Sequence, residues 1–260
     1  MNSGHHQHDP NFTKEKKFYE YITNLPSETI SKVKNKPLEV LKLIDNYPDW
    51  FMNIGPKKGE IITKEIRSKK PKILIELGGY IGYSAVLLAN EIIDDLDAKF
   101  YSFELNPEFA KISTEVIKLA GLSRKVEIIV GKASYNLPLF KERLQSEKGQ
   151  FVPLDFILLD HWKNLYLPDL KLMEQINLIA PGTLICADNV IKPGAPEYLK
   201  YLRYSPEEKK DYNLNYKDPD YPDLIGRWNL IYDTETIEVV NDKGFKDGVE
   251  ITKCTDYLSG

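Results

Sequence analysis

The stretch KILIELGGYIGYSAVLLANEII, residues 72–93, decides the fold. Its opening, KILIEL at 72–77, is a short apolar run closed by a glycine pair, which reads as a strand buried on both faces. From Ile81 the spacing becomes helical through IGYSAVLLANEII. Downstream the same alternation repeats: KFYSFEL at 99–105 reads as a strand, PEFAKISTEVIKLAGL as a helix closing at Gly121, and VEIIVG at 126–131 as the next strand. Strands alternating with helices of this length predict right-handed βαβ units and a doubly wound, mostly parallel α/β sheet.

Two further apolar runs, LDFILLD at 154–160 and GTLICADN at 182–189, end on polar residues. Parallel strands deliver the residues that follow them to the carboxyl edge of the sheet, where open sheets bind ligands. Asp160, Asp188 and Asn189 are therefore expected to converge as three oxygen donors, with Lys163 of the string LDHWK beside them. No His or Cys belongs to the trio, so hardness matching favours Mg²⁺ over zinc. The competing reading is capping, because Asp and Asn after a strand also cap helices and form turns. Two such strings at successive strand ends shift the balance toward a shared cation site.

The turn ELGGYIGYSA, residues 76–85, joins a strand to a helix, where α/β folds seat nucleotide-like ligands on a helix amino terminus. Tyr80 occupies the second glycine position of a dinucleotide fingerprint, which disfavours a nicotinamide dehydrogenase. Gly78 and Gly82 instead follow Glu76 in the E-x-G-x-x-x-G spacing typical of S-adenosylmethionine-dependent methyltransferases. Glu104, ending the second strand, can accept both hydroxyls of a ribose or cap the helix that opens at Pro107, a task Asn106 could also perform. Ser134 can reach an adenine or cap its own helix.

Around this core the 260 residues show no linker rich in Pro, Gly or Ser, so a single domain is expected over 14–260 after a disordered leader at 1–13. Within it, 14–70 reads as a helical cap over one edge of the sheet and 71–203 as the cofactor and metal core. Residues 204–225 read as a surface insertion, and 226–260 as a final antiparallel hairpin. The hairpin strands are RWNLIYD at 227–233 and DGVEITKC at 247–254, joined through TETIEVVNDKGFK.

A formal charge of −4 and the lack of a basic face with interleaved aromatics give no footprint for nucleic acid. No apolar run reaches membrane-span length and the amino terminus lacks a secretory signal, so no membrane partner and a cytoplasmic location are expected. Two cysteines, Cys186 and Cys254, suit a reducing compartment without a disulfide framework. His5, His6 and His8 cluster in the leader, which leaves His161 as the sole histidine of the body. With no GxSxG elbow and no suitably placed cysteine beside it, hydrolase chemistry is set aside.

Together the strings ELGGYIGYSA, FELNPEF, LDHWKNLYLPD and ADNVIKPGAP resemble the catechol O-methyltransferase family, over a span from about Trp50 to Pro196. The resemblance implies a seven-stranded Rossmann-like fold with helices on both faces. It also implies Mg²⁺ and S-adenosylmethionine as cofactors, and methylation of one hydroxyl of a small-molecule catechol. It makes Asp160, Asp188 and Asn189 the metal ligands and Lys163 the general base. Around the cofactor it places Met52, Asn53 and Ile54, then Glu76, Gly78, Tyr80 and Ser84, then Glu104 and Leu105. Ser134, Tyr135, Asp160, His161 and Trp162 complete that set. The catechol would meet Trp50, Trp162 and Pro193 as apolar walls, with Lys163, Asn189 and Glu238 as polar contacts. Glu235 is also eligible for the second hydroxyl, but IEVV around Glu238 better matches the family's strand ending.

Asn164 and Leu165 depart from the family's acidic and basic pair after the lysine, which implies altered loop packing or partners with the chemistry retained. A lysine base acts in its neutral form, which a neighbouring divalent cation favours. A monomer is expected. Two alternatives remain at this level: a related cation-dependent O-methyltransferase acting on another vicinal diol such as a caffeoyl ester, and a non-catalytic S-adenosylmethionine-binding module.

Overall fold

A computed structural model describes residues 11–240 and 244–259. Leader residues His5, His6 and His8 lie outside the described residues. Four helices come first: α1 (Thr13–Thr23), α2 (Ser27–Val33), α3 (Pro37–Asp45) and α4 (Gly55–Lys69). The alternation follows as β1 (Ile73–Leu77), α5 (Tyr83–Asn90), β2 (Lys99–Glu104), α6 (Pro107–Leu119), β3 (Val126–Val130) and α7 (Ala133–Lys148). Then come β4 (Phe156–Leu159), α8 (Tyr166–Gln175), β5 (Leu184–Ala187), α9 (Pro196–Leu202), α10 (Pro206–Asn215), β6 (Leu230–Val240) and β7 (Lys246–Tyr257).

The seven strands form one sheet in the order β3-β2-β1-β4-β5-β7-β6. The pairs among β1 to β5 are parallel, and β7 runs antiparallel to both β5 and β6. Strand order reverses between β1 and β4, which makes their carboxyl ends the switch point where such sheets take ligands.

Continuous apolar runs arise because the central strands are covered on both faces. Leu74, Phe100, Phe156, Leu158, Leu184 and Cys186 pack with α1, α3, α4, α5 and α6. Their neighbours Ile73, Ile75, Tyr101, Ile157, Leu159 and Ile185 pack with α7, α8 and α9. A fully buried Leu or Ile such as Leu158 or Ile157 contributes about 1.5–3 kcal/mol by leaving water.

The structure alters several sequence expectations. The amino-terminal helices α1 and α3 pack on α5 and α6, adding an outer layer to one face and leaving the sheet edge alone. Helix α5 is shorter than its apolar string and ends at Asn90. TETIEVV is not a connection: it extends β6 to Val240, paired with β7 from Lys246 onward. Within the segment expected as a surface insertion, Ser205 and Glu208 form a capping box that opens α10. Lys209 on that helix is fully buried and donates to the Leu230 carbonyl at 2.8 Å. Cys186 and Cys254 are both buried and free. Among the described residues no helix is long and apolar enough to cross a membrane.

Candidate active site

Strand register assembles the site. Leu77 of β1 pairs with Leu159 of β4, and Leu159 pairs with Ala187 of β5. The next residues of the three strands, Gly78, Asp160 and Asp188, therefore lie level at the carboxyl edge. Two backbone bonds continue the ladder to that level, Asp160 N–H to the Leu77 carbonyl and Asp188 N–H to the Leu159 carbonyl, each 2.9 Å. Gly78 is required there. Its φ is +101°, and a Cβ would stand 2.6 Å from the Asp160 carbonyl oxygen, so any side chain would push the first turn off the end of β4.

Asp188 is buried and Asp160 has 13% of its side chain exposed, the two carboxylates following adjacent strands. Burial pushes Asp160 up to about 7, and the Asp188 charge adds to it against the offsetting lysines 163 and 58. Asp188 is likewise raised by burial, only partly offset by Lys58 and Lys163. The Asn189 side chain donates to Asp247 Oδ2 at 2.7 Å. Its backbone is left-handed, φ 56°, a conformation asparagine tolerates better than most residues.

Lys163 opens a single 3₁₀ turn, Lys163–Leu165. Its Nζ lies 3.3 Å from Asp160 Oδ1 and donates to the Tyr166 hydroxyl at 2.5 Å. Tyr166 is fully buried, and its hydroxyl lies 2.7 Å from the Leu159 carbonyl and 2.9 Å from that of Asp188. The tyrosine thus fastens the lysine to the ends of both β4 and β5.

Sequence reading missed Lys58 and Asp247. Lys58, on α4, stands 2.6 Å from Asp188 Oδ1, 2.8 Å from Asp188 Oδ2 and 3.0 Å from Asp247 Oδ2. Only the Oδ2 contact with Asp188 has hydrogen-bond geometry, so buried Oδ1 is left without a directed donor. Burial works against the Lys58 charge, but Asp188 and Asp247 outweigh it and hold the ammonium above its ordinary range. Burial also acts to raise Asp247. Donors from Asn189 and the Lys192 N–H, with the Lys58 charge, overcome it and hold Asp247 below the usual carboxylate range.

Cofactor candidates gather around the glycine turn. Met52, Asn53, Ile54, Gly78, Tyr80, Ser84 and Asp160 line one small cavity of about 20 Å³. That volume holds little more than a water, so a nucleoside would lie along the rim outside it. Glu76 below the turn is fully buried, accepts from Ser102 at 2.5 Å, and is pushed by burial up to about 8. Glu104 accepts from the N–H groups of Tyr80 and Asn106, each at 2.7 Å. It does not cap α6, because the Asn106 side chain takes the Glu108 N–H. Tyr80 turns its ring into a cluster with Phe51 and Phe109, so only its backbone serves the Glu104 side.

Leu105 and Tyr135 are exposed after β2 and in the first turn of α7, where Ser134 also sits. His161 pairs through Nε2 with Asp169 at 2.8 Å, and its buried Nδ1 has no hydrogen-bond partner. Trp50 and Trp162 are each 60% exposed, with Lys14 Nζ 5.4 Å from the Trp50 ring. Pro193 lies exposed in the turn Val190–Gly194. On β6, Thr236 bonds Glu250 across the strands, and Glu238 opposite Gly248 falls on that same face. A Cβ at Gly248 would meet Ile191, so Glu238 shares the face on which the Pro193 turn packs, whereas Glu235 falls on the other.

Among the described residues no three His, Cys, Asp or Glu side chains converge as a metal cluster. The donors at this edge are two carboxylates and an amide. Two neighbouring carboxylates, buried Asp188 with an undirected oxygen and partly buried Asp160 pushed up to about 7, nevertheless suit a hard cation that would relieve their repulsion.

Residues 30–198 match the family model described as O-methyltransferase. Catechol O-methyltransferase of Bos taurus is 39% identical over 174 residues, covering 66% of this chain and 61% of that protein. Its Mus musculus counterpart is 40% identical, covering 65% and 62%. The match thus spans less than two thirds of either relative's length. A solved O-methyltransferase from Bacillus cereus in complex with SAH has a TM-score of 0.57 at 20% identity, covering 91% of this chain and 96% of that one, and supports the fold. With a family model matching more than half its length and relatives this similar, the chain belongs to the O-methyltransferase family.

Proposed function

We propose that this chain transfers a methyl group from S-adenosylmethionine to one hydroxyl of a catechol with the aid of Mg²⁺. The observation that carries the reading is the strand register that sets Asp160, Asp188 and Asn189, with Lys163 beside them, level with the glycine turn. Kinship to the bovine and mouse catechol O-methyltransferases supports the same substrate class.

Asp160, Asp188 and the Asn189 carbonyl oxygen would hold the cation. When bound, the cation supplies Lewis acidity toward a coordinated hydroxyl, and the sulfonium supplies the methyl group. Lys163 Nζ, pinned by Tyr166, takes the proton of the attacking hydroxyl. Glu104 keeps lone pairs for the ribose hydroxyls beyond its two backbone donors. Trp50, Trp162 and Pro193 grip the ring, and Glu238 accepts from the second hydroxyl. Most of the acceleration then comes from aligning oxygen behind the methyl carbon.

A methyl-transfer assay over a catechol panel, with and without Mg²⁺, tests the reading. A catechol should react far faster than the matching monophenol, which cannot chelate, and chelator should stop turnover. Equal rates for diol and monophenol, or turnover that persists in chelator, would overturn it. A caffeoyl thioester in the same panel separates the neighbouring diol specificity. The two cysteines suit a cytosolic location, and the expected monomer is checked by light scattering on the purified chain.

A further inference from the structure

We propose that Lys58 is a positioning residue that gathers Asp188 and Asp247 into one clamp and, by competing for Asp188, sets how tightly the site takes a divalent cation. The inference rests on reading Asp160, Asp188 and Asn189 as cation ligands.

Lys58 is not a surface bridge. Its side chain is 14% exposed, against 2% for Asp188 and 17% for Asp247, so water screens these charges weakly. The ammonium contacts both oxygens of Asp188 and one of Asp247. Asp247 is in turn fixed by Asn189 Nδ2 at 2.7 Å and by the Lys192 N–H at 3.0 Å. One lysine on α4 therefore ties the residue after β5 to the start of β7 and, through Asp247, orients the Asn189 amide. With Nδ2 committed to Asp247, that amide offers its carbonyl oxygen to a cation.

The same geometry sets a cost. A divalent ion on Asp188 would stand beside a fixed positive charge that already draws on that carboxylate, and like charges at this range repel strongly where solvent is excluded. Asp247 moderates the conflict by giving Lys58 a second anion to lean on. A purely structural tie and a competing cation then predict opposite signs. Loss of a tie loosens the ligands and weakens cation binding. Loss of a competitor strengthens it.

The test is calorimetric titration of Mg²⁺ into the full chain without methyl donor, together with the rise in Tm that Mg²⁺ produces. Lys58→Met should bind Mg²⁺ about tenfold tighter or more and show a larger Mg²⁺-induced rise in Tm. Lys58→Arg, which keeps the charge, should stay within a few-fold of the wild type. Asp247→Asn should weaken binding through either role, and Lys58→Gln gives the second reading of the sign if Lys58→Met does not fold. Equal or weaker binding by Lys58→Met, or unchanged binding by Asp247→Asn, overturns the proposal while leaving the ligand assignment standing. A wild-type chain that takes up no Mg²⁺, or uptake that survives Asp160→Asn, overturns the ligand assignment and the proposal with it.

Discussion

Glu174 on α8 and Asp188 after β5 are both withdrawn from water, yet their surroundings differ in kind. Glu174 Oε2 accepts from the Tyr201 hydroxyl at 2.8 Å and the Arg227 N–H at 2.9 Å, and Oε1 accepts from the Tyr232 hydroxyl at 2.6 Å. Buried Lys209 lies nearby, its Nζ 3.9 Å from the Tyr232 ring. Every oxygen there has a directed donor from a neutral group that cannot leave. Asp188 instead holds the Lys58 ammonium, and one of its oxygens lacks a directed donor. A saturated carboxylate fastens elements together, and an undersaturated one beside a second carboxylate retains capacity for a ligand.

The contrast can be broken from the Asp188 side first. Asp188→Ala should abolish Mg²⁺-dependent methyl transfer while far-ultraviolet circular dichroism stays native; activity at a tenth of the wild-type rate would count against its role as ligand. Lys163→Ala should lower kcat roughly a hundred- to ten-thousandfold, the usual worth of a general base, with S-adenosylmethionine affinity by calorimetry little changed. Undiminished turnover would sink the base assignment.

The other side makes the opposite prediction. Glu174→Ala strands two tyrosine hydroxyls and leaves buried Lys209 without its nearby carboxylate, so denaturant unfolding should show a loss of about 3–5 kcal/mol, with kcat of the folded fraction near normal. A large fall in kcat without loss of stability would erase the distinction. Tyr166→Phe should have a smaller effect, lowering kcat about tenfold with KM nearly constant, because it frees Lys163 Nζ without removing it.

Glu76 sharpens the comparison through pH. Burial raises it from an ordinary 4.5 to about 8, so between those values the folded chain holds a proton that the unfolded chain releases. Its contribution therefore lowers stability as pH rises from about 4.5 to 8. Glu76→Gln should remove that slope, and its Tm advantage over the wild type should grow with pH. A difference that is flat across the window would refute the burial argument.

The central sheet was legible because strands covered on both faces become unbroken apolar strings, and strings ending in Asp160, Asp188 and Asn189 announce where their polar residues emerge. The two glycines flanking Tyr80 were legible for the same reason, since the turn is local in sequence. Lys58 and Asp247 were not, because Lys58 joins Asp188 from 130 residues before it and joins Asp247 across 189. PKKGE carries no local sign of a site, and DGVEITKC at 247–254 reads only as a hairpin strand. The length of β6 was obscured by its polar face, which meets buried Glu250 where water would be expected. Helix α10 did carry a local sign, Ser205 followed by Pro206 and Glu208, which a search for capping boxes would have found.

The position of β7 also bears on when the site can come into being during synthesis. A nascent chain that has emerged through β5 holds the glycine turn, Asp160, Lys163 and Asp188, but the sheet beside β5 is still open and Asp247 has yet to be made. β6 is made before β7 yet lies outside it, so the two are best placed to close on each other as a hairpin and dock together. Until that docking, Lys58 and Asp188 lack their third partner, and ribosome-bound intermediates hold β4 and β5 without Asp247.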